Sequence, residues 1–301
     1  MSENITHTAV VDDCLRLMAA DETFSQAFKE AAQEHQAMTR LGCMTRAGDR
    51  CNPGLLATFR ERWATRLPEE HLEPKLAFVL GWLCHRAADR QMKPIFRRFH
   101  PPETRTESPT ECSVYHDAFI FREVYGAGEA SPYHPAMFGE DFETLSDTIN
   151  VADLQDLVHV LLRRALIEMH TLIPNVDDPE AWIDHLFTRR QEFYVDLERY
   201  DAAITNPDPE KVQTYIIDDG FYERDDPIID VARRLQHGEK VTPEEVGGAI
   251  DADATSHYGQ ALKLGMKYLR AADEFFTSDM DIETLKVRLD IGKAGRDGLA
   301  V

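Results

Sequence analysis

His85 and Asp89 stand four residues apart in Lys75–Phe99, KLAFVLGWLCHRAADRQMKPIFRRF, with Lys93 one turn further on. At helical spacing the three stack on one face. The run before them is apolar on nearly every side (Leu76, Phe78, Val79, Leu80, Trp82, Leu83, Cys84), so this helix is expected to lie buried among others. Ionisable groups in such a place cost several kcal/mol, in the range of about 2–7 for a polar group without a partner, unless they are paired or hold a metal. An imidazole and a carboxylate at i, i+4 suit zinc or manganese. The same residues equally suit a buried His85–Asp89 hydrogen bond or an Asp89–Lys93 ion pair.

Other residues carry the same chemistry. His116, followed by Asp117, opens the helix YHDAFIFRE, and Glu123 lies two turns later on roughly the same face. They read as metal ligands or as a polar helix start. Asp49 sits in the loop TRAGDR beside a glycine, where an aspartate serves as a turn residue or a ligand. His7 near the N-terminus and His134 in a long loop read, each by itself, as surface histidines.

These segments together resemble the zinc-dependent phospholipase C family. Gly81, Trp82, Leu83, His85, Asp89 and Pro94 fit the signature helix of its bacterial members, LGCMTRAGD resembles the loop bearing its bridging aspartate, and YHDAFIFRE resembles its next ligand helix. The resemblance covers about residues 5–130. It implies an all-α, phospholipase C/P1 nuclease-like fold and zinc ligands at Asp49, His85, Asp89, His116 and Glu123. It also implies a metal-dependent hydrolase of small phosphoesters, with Asp49 as bridging ligand and general base. Two departures stand out. Lys93 occupies the place of a further ligand histidine, and Met1-Ser2 replaces the N-terminal tryptophan that secreted members use, so an incomplete metal site is expected.

Two other readings stay open. In one, Lys93 has turned a metal site into a structural ion pair, leaving a non-catalytic helical relative with a binding or structural role. In the other, His85, then His116-Asp117 31 residues later, then Asp153 or Asp156, follow the order of helical HD-type phosphohydrolases.

The elements that must position these residues are helices. The pattern predicts one or two helices over Val10–Leu41, with Leu15, Leu17, Met18, Phe24, Phe28 and Ala31 inward, then a loop over Gly42–Pro53 and a short helix over Leu55–Arg66. The central helix is expected to kink or unwind near Pro94. Helices follow over Glu111–Tyr125, Asp141–Leu172 and Asp178–Tyr200, with an irregular stretch Gly126–Gly139 between the first two. Proline-opened helices are expected after Asn206, Asp226 and Thr242, the last with a capping box through Glu245. An amphipathic helix spans Tyr258–Phe276, and the tail LDIGKAGRDGLAV is expected to fray. Roughly ten helices with short connections around the buried central helix predict one compact all-α domain over residues 1–301.

Composition bounds the rest. Lys and Arg number 33 against 54 Asp and Glu, a net charge of −21, which repels nucleic acid and anionic bilayers; neither is expected as a partner. The acids are spread along the chain and read as a solvated surface. No stretch reaches the roughly 18 apolar residues of a membrane span and the N-terminus has no signal-peptide pattern, so a cytoplasmic protein is expected. Five cysteines without CxxC spacing read as free thiols.

Overall fold

The computed structural model describes residues 4–44, 52–103, 109–126, 196 and 199–299. All regular structure among them is helical. The elements are α1 (Asn4–Ala20), α2 (Gln26–Glu34), α3 (Gln36–Met44), α4 (Asn52–Arg62), α5 (Leu72–Phe99), α6 (Glu111–Glu123), α7 (Pro209–Val212), α8 (Pro227–Gln236), α9 (Pro243–Asp251), α10 (His257–Thr277) and α11 (Ile282–Arg288). A π-turn segment, Gln213–Ile217, continues α7. None of the described helices is long and apolar enough to cross a membrane. The helices expected over Asp141–Leu172 and most of Asp178–Tyr200, with Asp49 and His134, lie outside the described residues.

Local chemistry explains most boundaries. α1 stops because Asp21 Oδ1 accepts from the backbone N–H and hydroxyl of Thr23, a side-chain turn that competes with continued helix. Thr242 and Glu245 close the expected capping box, and α8 opens with Pro227 at its first turn. α7 starts later than Asn206, because Asp208 caps it and Pro209 takes the first position. The Gly247-Gly248 pair does not break α9; the break comes at Ala252–Ser256. α5 runs on through Pro94 to Phe99 instead of unwinding, since proline removes a single bond from a long helix whose last turn is tied by the Arg97–Asp297 ion pair at 2.7 Å.

The chain divides into two compact units, Met1–Thr6 with Glu103–Asp219, and His7–Pro102 with Gly220–Val301. In the first, Thr110 caps α6 by accepting from the N–H of Ser113, and Arg199 donates to the Pro109 carbonyl at 2.8 Å. The buried Asp117 carboxylate accepts from the Thr6 N–H and hydroxyl, both at 2.7 Å, and from the Tyr200 hydroxyl at 2.8 Å.

The second unit is organised around α5, which packs on α2, α3, α4 and α10. Leu76, Ala77, Val79, Leu80, Leu83, Cys84, Ala87 and Ala88 have no exposed surface. Gly42 belongs to α3 and not to a loop, and it and Gly81 let α3 and α5 touch backbone to backbone. A Cβ on Gly81 would fall on the Thr39 carbonyl, and one on Gly42 on the Phe78 carbonyl. The described part of the C-terminal tail, up to Leu299, is held where fraying was expected. Arg86 donates to the carbonyls of Leu289 (2.9 Å) and Asp290, and Arg90 to those of Lys293 and Ala294, both at 2.9 Å.

The cysteines described (Cys14, Cys43, Cys84, Cys112) are buried thiols outside any disulfide. The acids are not all at the surface: Asp13, Asp21, Asp89, Asp117, Asp226 and Asp273 are buried. Asp226 takes hydrogen bonds from the N–H and hydroxyl groups of both Thr255 and Ser256, which fixes the start of α10.

Two outcomes follow. Gly81→Ala and Gly42→Ala each force backbone apart and should each cost about 1–3 kcal/mol, read as a lower urea midpoint at an unchanged slope. His257, at the start of α10, is held down to about 4 from 6.5 by burial and by the charges of Arg296 and Arg98. The unfolded chain therefore binds the proton first as pH falls, so His257 lowers stability progressively from pH 6.5 down to about 4 and no further. Denaturation of His257→Gln across that range should give a flatter curve than the parent.

Candidate metal centre

Three side chains meet on the buried side of α5. His85 (5 % exposed) and Asp89 (8 %) come from successive turns of that helix, and His7 (2 %) comes from α1. His7 donates from Nε2 to Asp89 Oδ1 at 3.1 Å, and His85 Nε2 stands 3.2 Å from Oδ2. The imidazole rings lie 4.5 Å apart at 31°. Lys93 adds its ammonium 2.6 Å from Oδ2.

Why the sequence folds this way is clear residue by residue. The apolar run before Cys84 drives α5 into the core, and the i, i+4, i+8 spacing then carries His85, Asp89 and Lys93 along one stripe. His7 shares a face of α1 with Val10, Val11 and Cys14, all without exposed surface, so burying that stripe buries the imidazole. Contact between Thr8 Oγ1 and Cys43 Sγ, at 3.7 Å, ties the same stretch of α1 to the end of α3.

The electrostatics follow from burial. Desolvation alone would raise the Asp89 carboxyl, but the charge on His85, the hydrogen bonds from His7 and His85 and the Lys93 ammonium outweigh it. Asp89 is held well below the usual carboxylate range, so it is an anion at neutral pH and the negative focus of the cluster.

One donor atom from each of His7, His85 and Asp89 lies within 4.8 Å of the others, and the three residues can hold a metal ion. Donors bound at about 2.0–2.1 Å to a tetrahedral cation sit about 3.3 Å apart. The two His–Asp separations, 3.1 and 3.2 Å, are close to that but end on different oxygens of Asp89, so binding one ion requires the three donors to draw around it.

The other expected ligands are placed differently. His116 and Glu123 belong to the unit formed by Met1–Thr6 and Glu103–Asp219. His116 is fully buried, not an exposed helix start; its Nε2–H donates to the Tyr215 carbonyl at 3.2 Å, with Cys112 Sγ 3.6 Å away. Glu123 is half-buried at the end of α6. Asp49 lies outside the described residues. His7, read from the sequence as a surface residue, is a member of the cluster. The signal that could have found it is its i+3, i+4 and i+7 relation to Val10, Val11 and Cys14, which puts it on an apolar face.

Compared with family models, with curated proteins and with solved structures, the chain matches none.

Replacing the anion should unbalance the cluster. Asp89→Asn leaves Lys93 and two histidines without their counter-charge and should cost about 3 kcal/mol at neutral pH. Because the folded pKa is depressed, this contribution is present above about pH 4, the unfolded value, and is lost as pH falls through the lower folded value. The stabilities of parent and variant should therefore converge in strong acid, as followed by circular dichroism.

Proposed function

We propose that the chain is a metal-dependent phosphoester hydrolase, similar in chemistry to the zinc-dependent phospholipase C family, with His7, His85 and Asp89 as the core of its metal centre. The observation that carries this reading is the convergence of two imidazoles and one carboxylate from two helices in a buried place. Two nitrogens and one oxygen suit zinc or manganese.

Asp49 is the natural further ligand and general base. A divalent cation held there supplies Lewis acidity and brings the pKa of a bound water towards ~7. The protein's own part is to orient both imidazoles and to hold Asp89 ionised in a place with little access to water. Loading the site displaces the protons that now lie between the imidazoles and Asp89, so uptake should release protons and weaken in acid.

The second reading is a non-catalytic helical protein in which the Lys93–Asp89 ion pair is the end state. The 2.6 Å contact supports it, because Asp89 already has a partner on each oxygen.

Metal analysis of protein purified without chelator separates the two. About one equivalent of zinc or manganese, lost in His7→Ala and His85→Ala, together with chelator-sensitive cleavage of a generic aryl phosphoester, is the expected outcome. Less than about a tenth of an equivalent after incubation with either metal would leave the ion-pair reading standing.

A further inference from the structure

We propose that the groove walled by α10, the end of α9 and Arg288 of α11 binds a small ligand carrying a phosphate group, at a place that shares no residue with the His7–His85–Asp89 cluster. The inference stands apart from the metal reading, since none of its contacts needs an ion.

The groove holds about 540 Å³, inside the range of roughly 300–1,000 Å³ for small-molecule sites. Gln260, Lys263, Lys267 and Arg270 follow one face of α10 and line it, and Gln91 of α5 and Arg288 of α11 extend the polar wall. Four cations thus converge in a chain of net charge −21. Three of them are anchored from outside: Lys267 by Asp290 at 3.3 Å, Arg270 by Asp21 at 2.9 Å and Arg288 by Glu274 at 2.6 Å. None of those acids lines the groove. Lys263 has no carboxylate partner among the described residues, and its ammonium donates to the carbonyls of Asp251, at 3.4 Å, and Ala252.

An anchor from behind fixes a cation's direction and leaves donors over. Arg270 spends Nε and Nη2 on Asp21, and its Nη1 stands 3.6 Å from Asp251, beyond a hydrogen bond. Lys267 has three donors, of which Asp290 takes one,. The acids count as well. Asp251 and Asp253 are exposed on the lining. With Asp21, Glu274 and Asp290 they make five carboxylates against five cations, Lys293 at Asp290 included. The region is therefore neutral where the chain as a whole is strongly acidic, and recognition comes from directed N–H donors, not from surplus positive charge. A phosphate group offers three strong acceptor oxygens at about −1.5 to −2 charge, and it can use donors from α10 and α11 together, where a carboxylate has two oxygens to offer. Gln91 keeps its side-chain oxygen without a hydrogen-bond partner among the described residues, an acceptor still to be satisfied. Ile250 and Leu264 add apolar surface, which suits the organic remainder of a phosphate ester.

The probes are glycerol 3-phosphate and inorganic phosphate, titrated calorimetrically into chelator-treated full-length protein, with ionic strength held by sodium chloride. Parent, Lys263→Met, Lys267→Met and Lys263→Arg are compared after their circular-dichroism melts show each to be folded. Lys286→Met is the control for charge alone, because Lys286 pairs with Glu283 and does not line the groove. The expected results are one site per chain with a Kd below about 1 mM, weakened about tenfold in Lys263→Met and in Lys267→Met. Lys263→Arg and Lys286→Met should stay within a few-fold of the parent. Tighter binding of the ester assigns an organic phosphate and tighter binding of the inorganic ion assigns the free anion; either supports the site. No binding by the parent at about 10 mM, equal affinity in parent and both groove variants, or an equal loss in Lys286→Met overturns it. Succinate binding as tightly as either phosphate overturns the ligand class. None of these outcomes bears on the metal centre, which the chelator leaves empty.

Discussion

The Asp89 carboxylate is the interaction on which the rest of this unit depends. A single buried anion gathers an imidazole from its own helix, an imidazole from α1 and an ammonium one turn away. Taking that carboxylate out of water costs several kcal/mol, and the surrounding donors offset the cost together, which fixes how α1 lies on α5. The same convergence makes the place chemically usable, because nitrogen and oxygen donors have been brought together where water competes poorly for them.

The molecule uses buried aspartates repeatedly, and the comparison shows what sets Asp89 apart. Asp226 accepts from uncharged N–H and O–H groups, and Asp117 accepts from Thr6 and Tyr200. Asp13 accepts from Tyr258 as well as Arg16, Asp273 from Ser25, and Asp21 from Thr23 and Arg270. These are clasps between a helix and its neighbour. Only Asp89, among the buried aspartates described, has two histidines as partners. Six of the acids that composition alone assigns to the surface are thus structural.

How much of this was legible in the sequence varies by element. The all-α class, the burial of α5, the capping box at Thr242 and the start of α8 at Pro227 follow from short-range patterns and local turn chemistry, and all are present. His85 and Asp89 were readable because charge in an apolar helix is conspicuous. His7 was fainter: its immediate neighbours are polar threonines, its spacing to Val10, Val11 and Cys14 is the one local sign of burial, and its partner lies on a helix some eighty positions away. Gly42 looked like a loop residue because glycine disfavours helix, yet the missing Cβ is what lets α3 touch α5. The tail looked loose because its glycines give no pattern, while its anchors are arginines on a different element. Local propensity cannot see partners of that kind.

The Arg86 and Arg90 clasps on the tail carry a consequence for biosynthesis. The unit holding the His7–His85–Asp89 cluster is assembled from the first third of the chain and the last, with more than a hundred residues of sequence between. His7, His85 and Asp89 all leave the ribosome early, but α10 and the carbonyls that tether α5 emerge last. The nascent N-terminal segment must therefore wait with its apolar central helix uncovered, and a prematurely terminated product would expose that surface to chaperones and proteases instead of closing over it.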